Sequence, residues 1–147
     1  MGSAYHPGCK YYNLNHEYTV ADLAAFHGHL GPYIVIGYRI GRYVRSHFCD
    51  DPFRMKVRVY CSGIPPESCL ADGVQIGSGC TLGKRNIEII DEPTLKCVFE
   101  LDEKMLEITP LPFSLPERGE NYEAMIEGVA EDMYYLPDNE LFDISFL

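Results

Sequence analysis

The sequence predicts an α+β fold, a single domain in which a mainly antiparallel sheet is packed with helices. Three observations carry that prediction. The 147 residues amount to one domain on a prior of roughly 100–200 residues per domain. Their hydrophobic periodicities run in the order helix, helix, strand, helix, three strands, helix, strand, with no repeated strand-helix-strand unit. The composition, 46% hydrophobic, 12% aromatic and 23% charged, is that of an ordinary globular chain able to bury a full core without staples. Length and composition argue against intrinsic disorder, a disulfide miniprotein and two independent cores.

Residues 1–18, rich in Tyr, Asn, His and Gly, read as an irregular arm, and residues 19–147 as the core domain. Thr19 followed by Asp22 is a capping-box-like start. Val20, Leu23, Ala24 and Phe26 then keep helical spacing until Gly28, which puts His27 and His29 at or just past a helix end. Pro32 suits the first turn of a second helix, and Ile34, Val35, Tyr38 and Ile40 or Gly41 give it an apolar face running towards Arg45. Gly37 and Gly41 are costly inside it and imply close packing on another element. Lys56 to Tyr60 alternates charged and apolar residues, the pattern of a half-buried strand.

Pro65-Pro66 opens a third helix from Glu67 to about Ile76, stopped by Gly77-Ser78-Gly79, with Cys69, Asp72 and Gly73 or Ile76 on one face. Asn86 to Ile90, Leu95 to Leu101 and Met105 to Ile108 read as a meander of consecutive strands, separated by turns at Asp91-Glu92-Pro93 and Asp102-Glu103-Lys104. A terminal helix from about Pro116 to Met133 places Tyr122, Met125, Ile126 and Val129 on one face, and Leu141 to Phe146 forms a last strand.

The net charge of −10 repels a phosphate backbone, so nucleic acid is not an expected partner. No apolar stretch approaches the roughly 20 residues needed to cross a bilayer, and the N-terminus lacks a basic region followed by an apolar core. His6 stands where a myristoylation signal wants Ser or Thr, and the expected location is cytoplasmic. Six cysteines spread along the chain read as thiols or metal ligands rather than a disulfide framework. Charge is polarised: Arg39, Arg42, Arg45, Arg54, Lys56 and Arg58 cluster early, whereas nine acids follow between Glu117 and Asp143. This reads either as two solvated faces or as complementary steering between subunits or partners.

Three clusters could carry chemistry: His27-Gly28-His29, the stretch Cys69 to Gln75, and Gly79-Cys80-Thr81-Leu82-Gly83-Lys84. Imidazole and thiolate are ligands that zinc prefers, and two histidines one glycine apart can face one ion only on irregular backbone, which a helix end supplies. Taken singly, the histidines read as exposed helix-end residues and the cysteines as small buried hydrophobes. The segment from Gly79 is not a P-loop, having three residues between its glycines, Arg85 after the Lys, and a helix rather than a strand before it. It reads as a glycine-lined turn whose amides at Gly79, Thr81 and Gly83, with Lys84, could hold an anionic cofactor or ligand.

Together the clusters resemble the FmdE-like family of formylmethanofuran dehydrogenase subunits. That family reads His-Gly-His-x-Cys-Pro-Gly before an apolar helix, then Cys-x-x-Asp-Ala/Gly-Ile/Val-Gln, then Gly-Cys-Thr-x-Gly-Lys; here the matching stretches begin at Phe26, Cys69 and Gly79, in the same order. The resemblance covers residues 19 to 110. Gly31 stands at the family's cysteine and Tyr33 at its following glycine, and the C-terminal zinc ribbon of many members is absent. The resemblance implies an α+β core domain, usually dimeric, with its His and Cys clusters around one cavity and a link to methanogenesis-related one-carbon metabolism.

On this reading His27, His29, Cys69 and Cys80 are the metal ligands, for a divalent metal, zinc first. Asp72, one helical turn from Cys69, orients a ligand or acts as an acid/base group, and Lys84 neutralises a small bound anion. The alternative is a non-catalytic accessory subunit of a molybdenum or tungsten oxidoreductase. A homodimer is expected from the resemblance and from the apolar, glycine-containing second helix.

Overall fold

The computed structural model describes residues 8–12 and 16–147, and the remainder of the expected arm lies outside the described residues. Helix α1 spans Val20–His27, and Thr19 and Asp22 close a reciprocal capping box at its start. Helix α2, Pro32–His47, starts on a proline at N1 and is the central element, with nine buried residues. Strand β1 is Lys56–Cys61, helix α3 is Leu70–Ser78, and strands β2, β3 and β4 are Ile87–Asp91, Lys96–Leu101 and Lys104–Pro110. Helix α4, Tyr122–Tyr134, and strand β5, Phe142–Phe146, complete the α+β domain.

The sheet order is β2-β1-β3-β4-β5, mostly antiparallel. The meander expected from the first three strands after α3 is corrected here. β2 pairs parallel with β1, Val57 opposite Ile87, while β3 pairs antiparallel with the other edge of β1. The reason is the helix between them: parallel neighbours need a crossover, and α3 supplies it. Two helix bounds also differ from the expectation. The residues from Glu67 to Cys69 form a single 3-10 turn before α3, and α3 runs through Gly77 and Ser78 to end on Gly79, whose φ of +82° needs a glycine. The last helix begins at Tyr122 rather than near Pro116, and the chain before it runs without regular structure.

Val57, Val59 and Cys61 of β1, Cys97 and Phe99 of β3, and Leu106 and Ile108 of β4 join α2 in one core. The opposite sheet face is a charge ladder, with Arg58 bonded to Glu100 at 3.2 Å and Lys96 facing Glu107 at 3.4 Å. Helix α2 packs chiefly on α3 and also on α4. At four glycines the α2–α3 seam brings backbone against backbone. A β-carbon on Gly37 would stand 2.1 Å from the Leu70 carbonyl oxygen, and one on Gly41 2.4 Å from the Ser78 nitrogen. Reciprocally, one on Gly73 would meet the Ile34 carbonyl oxygen at 2.1 Å, and one on Gly77 the Tyr38 carbonyl oxygen at 2.3 Å. Gly77 is therefore a packing residue and not a helix stop. The apolar helix face that motivates a dimer is covered within the chain.

Candidate functional site

The histidine pair is built by a helix stop. Gly28 takes φ +104° as the C-cap of α1, a left-handed conformation in which its N–H donates to the Ala24 carbonyl at 2.7 Å. The reversal brings His29 beside His27, ring edge to ring face, with centroids 5.4 Å apart. Gly31, the N-cap of α2, is buried against this pair; a β-carbon there would lie 3.0 Å from His29 Cε1. The position where the family carries a cysteine thus adjoins His29.

From the other side, α3 presents Asp72 in its first turn. His27 Nδ1 lies 2.7 Å from Asp72 Oδ2. An ionised carboxylate can only accept, so Nδ1–H donates and Nε2 is the ring nitrogen available to a ligand. His27, His29, Gly31 and Cys69 line one cavity of about 230 Å³. Tyr33, Pro65 and Pro66 form its walls, and Arg118, Tyr122 and Ile126 reach over it from α4 and the segment before it. Burial, then the negative charge of Asp72, raises the Cys69 thiol above its ordinary value, so at neutral pH it is a thiol and not a thiolate. Burial likewise raises the Tyr33 phenol.

Among the described residues no three His, Cys, Asp or Glu side chains are grouped to hold a metal ion. The donor types in the cavity suit zinc, but their placement does not close a set of ligands, and a glycine stands where a further thiol would come. Cys80 is absent from the lining. It is fully buried, its thiol faces the Met55 carbonyl oxygen, and burial pushes it up to about 11. The bland reading of Cys80 as core packing describes its surroundings.

Gly79, Thr81, Gly83 and Lys84 line a second and larger cavity of about 890 Å³, which also takes in Arg42, Arg45, Phe26 and Gln75. Lys84 Nζ donates to Thr81 Oγ1 at 2.8 Å, and burial is the main influence that lowers its ammonium below the usual lysine range. Most of the turn's amides are already engaged. Gly79 N–H donates to the Gln75 carbonyl, Cys80 N–H to Ser78 Oγ, Thr81 N–H to Asn86 Oδ1 and Leu82 N–H to Gln75 Oε1. Asn86 further donates to the Pro52 and Met55 carbonyls at 2.6 and 3.1 Å. Helix α3 therefore serves both cavities, the histidine pocket from its start and the larger cavity from its end.

The sequence pattern described as "FmdE, Molybdenum formylmethanofuran dehydrogenase operon" matches residues 26–143, which hold the whole lining of the histidine pocket and, His16 and Tyr18 aside, that of the larger cavity. The chain belongs to the FmdE family. A protein of Archaeoglobus fulgidus named "Probable S-adenosyl-L-methionine-binding protein" is 29% identical over 68 residues, 45% of this FmdE-family chain and 19% of that protein. The chain thus matches about a fifth of that relative's length. Among the described residues, no helix of this FmdE-family chain is long and apolar enough to cross a membrane. Nothing in the sequence marked Arg118 and Tyr33 as lining the pocket or the side chains of Gln75 and Asn86 as bracing the turn. Gln75 closes the second matching motif, and its bond to Leu82 inside the third is the signal that joins them.

Proposed function

We propose that this FmdE-family chain is an accessory subunit working beside a molybdenum or tungsten oxidoreductase of the formylmethanofuran dehydrogenase type, and that it binds a small one-carbon or cofactor-type ligand in the His27–His29–Cys69 pocket. The observation that supports the pocket is the 2.7 Å contact between His27 and Asp72. Asp72 fixes the ring's tautomer and orientation. His27 Nε2 then accepts a hydrogen bond or a proton from the ligand, and the adjacent carboxylate stabilises the imidazolium that forms. The link to the oxidoreductase rests on family membership.

A second reading adds a divalent metal, zinc first, supported by the donor types and by the carboxylate behind a histidine, an arrangement that orients metal ligands. His27, His29 and Cys69 would hold it, and when bound it supplies Lewis acidity towards a carbonyl oxygen. Elemental analysis of protein purified without chelator or immobilised metal tests this. Stoichiometric metal that disappears in His29→Ala, persists in Cys97→Ser and falls as acid protonates the imidazoles supports it. Retention in His29→Ala, or loss in Cys97→Ser, means the donors are wrongly assigned. Co-purification of a large redox enzyme with metal-free protein favours the accessory role alone. The homodimer rests on family resemblance, and a monomer mass by light scattering at micromolar concentration would count against it.

A further inference from the structure

The larger cavity holds an electrostatic imbalance. In a chain of net charge −10, Arg39 pairs with Asp138, Arg54 with Asp102, Lys56 and Arg58 with Glu100, and Lys96 with Glu107. Arg42, Arg45 and Lys84 line one cavity, and among the described residues none of them has a carboxylate partner in a salt bridge. Their hydrogen bonds go to neutral oxygens: Arg42 to the His16 carbonyl, Arg45 to the Asp50 carbonyl and Lys84 to Thr81 Oγ1. Among the described residues, Asp50 is the one carboxylate in the lining. Three like charges gathered around one space, in a protein with acids to spare, repel one another unless an anion sits among them. The same cavity exposes apolar surface, with Phe26 59% and Leu82 76% exposed.

We propose that this cavity binds a small organic polyanion, a phosphate ester or a polycarboxylate with an apolar portion, through the side chains of Arg42, Arg45 and Lys84. The guanidinium groups present fixed forks for oxyanions, Lys84 adds a point charge, and Phe26 and Leu82 take the apolar part. The reading extends the anion role expected of the Gly79–Lys84 turn, but moves recognition to side chains on α2, since most of the turn's amides are spent within the protein. It stands independently of the histidine pocket.

Calorimetric titration of the purified full chain with pyrophosphate, citrate, inorganic phosphate and phenyl phosphate at low salt tests it. Saturable binding of pyrophosphate or citrate is expected, and the tighter of the two identifies the phosphate or the carboxylate source. Phenyl phosphate should bind more tightly than inorganic phosphate. Arg42→Gln and Arg45→Gln should each weaken binding about tenfold or more, whereas Lys104→Gln, the same charge change at an exposed residue at the start of β4, should leave it unchanged. In the unaltered protein the bound polyanion should also shield Lys84 from amine-acylating reagent, a readout that needs no variant. Absence of saturable binding by every probe, equal weakening by Lys104→Gln, or Lys84 labelling indifferent to the polyanion would each overturn the proposal.

Discussion

Replacing Gly73 by alanine would set a methyl carbon 2.1 Å from the Ile34 carbonyl oxygen and 2.5 Å from the Tyr38 nitrogen. Both are backbone atoms of α2, so no rotamer change can make room, and the helices must part by roughly 1 Å to restore ordinary contact. Overpacking of this kind costs about 1–3 kcal/mol, and separation of so tight a seam puts Gly73→Ala at the upper end. Alanine's helix preference returns about 1 kcal/mol. The net is a loss on the order of 2 kcal/mol, or a fall in Tm of roughly 4–8 °C for a chain of this size. Gly128→Ala is the internal control: it sits inside α4 with nothing within 4 Å of its would-be β-carbon, so only the propensity gain applies and Tm should rise by a few degrees. Parallel thermal and urea melts of the two variants decide the matter. A Gly73→Ala protein that melts at or above the parent would refute the close-seam reasoning.

Alkaline pH should weaken the fold through Cys80. Its thiol ionises near its ordinary value of 9.0 when unfolded and at about 11 when buried, so the unfolded state loses its proton first. Stability is whole below about pH 9, declines between 9 and 11, and levels off above. Cys97, fully buried and shifted upward by burial, acts in the same direction. Urea unfolding across that range should show the slope, and Cys80→Ala should make it shallower while Cys97 keeps the remainder; an unchanged slope would disprove the assignment. Asn86→Ala removes three hydrogen bonds that tie Thr81 to the carbonyls of Pro52 and Met55, and should cost about 2–3 kcal/mol by denaturation. A loss below about 0.5 kcal/mol would show that the brace is not needed.

Local rules made much of this molecule legible. Thr19 and Asp22 announced the start of α1, Pro32 that of α2, and the alternation of Lys56 to Tyr60 a half-buried strand, because capping and pleat periodicity are settled within a few residues. The sheet order was not legible. Whether β2 joins β1 or β3 depends on where α3 lies, and that is a property of tertiary packing. Gly77 misled for the same reason: a glycine that breaks an isolated helix is required in one pressed against a second backbone. At the site, the motif residues His27, His29 and Cys69 line one pocket, with Asp72 behind His27, yet Cys80 and Lys84 belong to other surroundings. They follow α3 by only a few residues, but its length separates them from the pocket. Arg42 and Arg45 were visible as charge and invisible as cavity lining, since their lack of a carboxylate partner among the described residues shows only in three dimensions.

The glycine seam also sets the mechanics of the molecule. Where side chains separate two helices, rotamers act as springs and absorb a displacement; here carbonyls and amides abut directly, and nothing between them can yield. Helix α3 is therefore a rod of roughly 13 Å at about 1.5 Å per residue, with Asp72 near one tip and Gly79 at the other. The two cavities are built against this one element, Asp72 behind the histidine pocket and Gln75, Ile76, Gly77 and Gly79 in the larger cavity, so their geometries are set together.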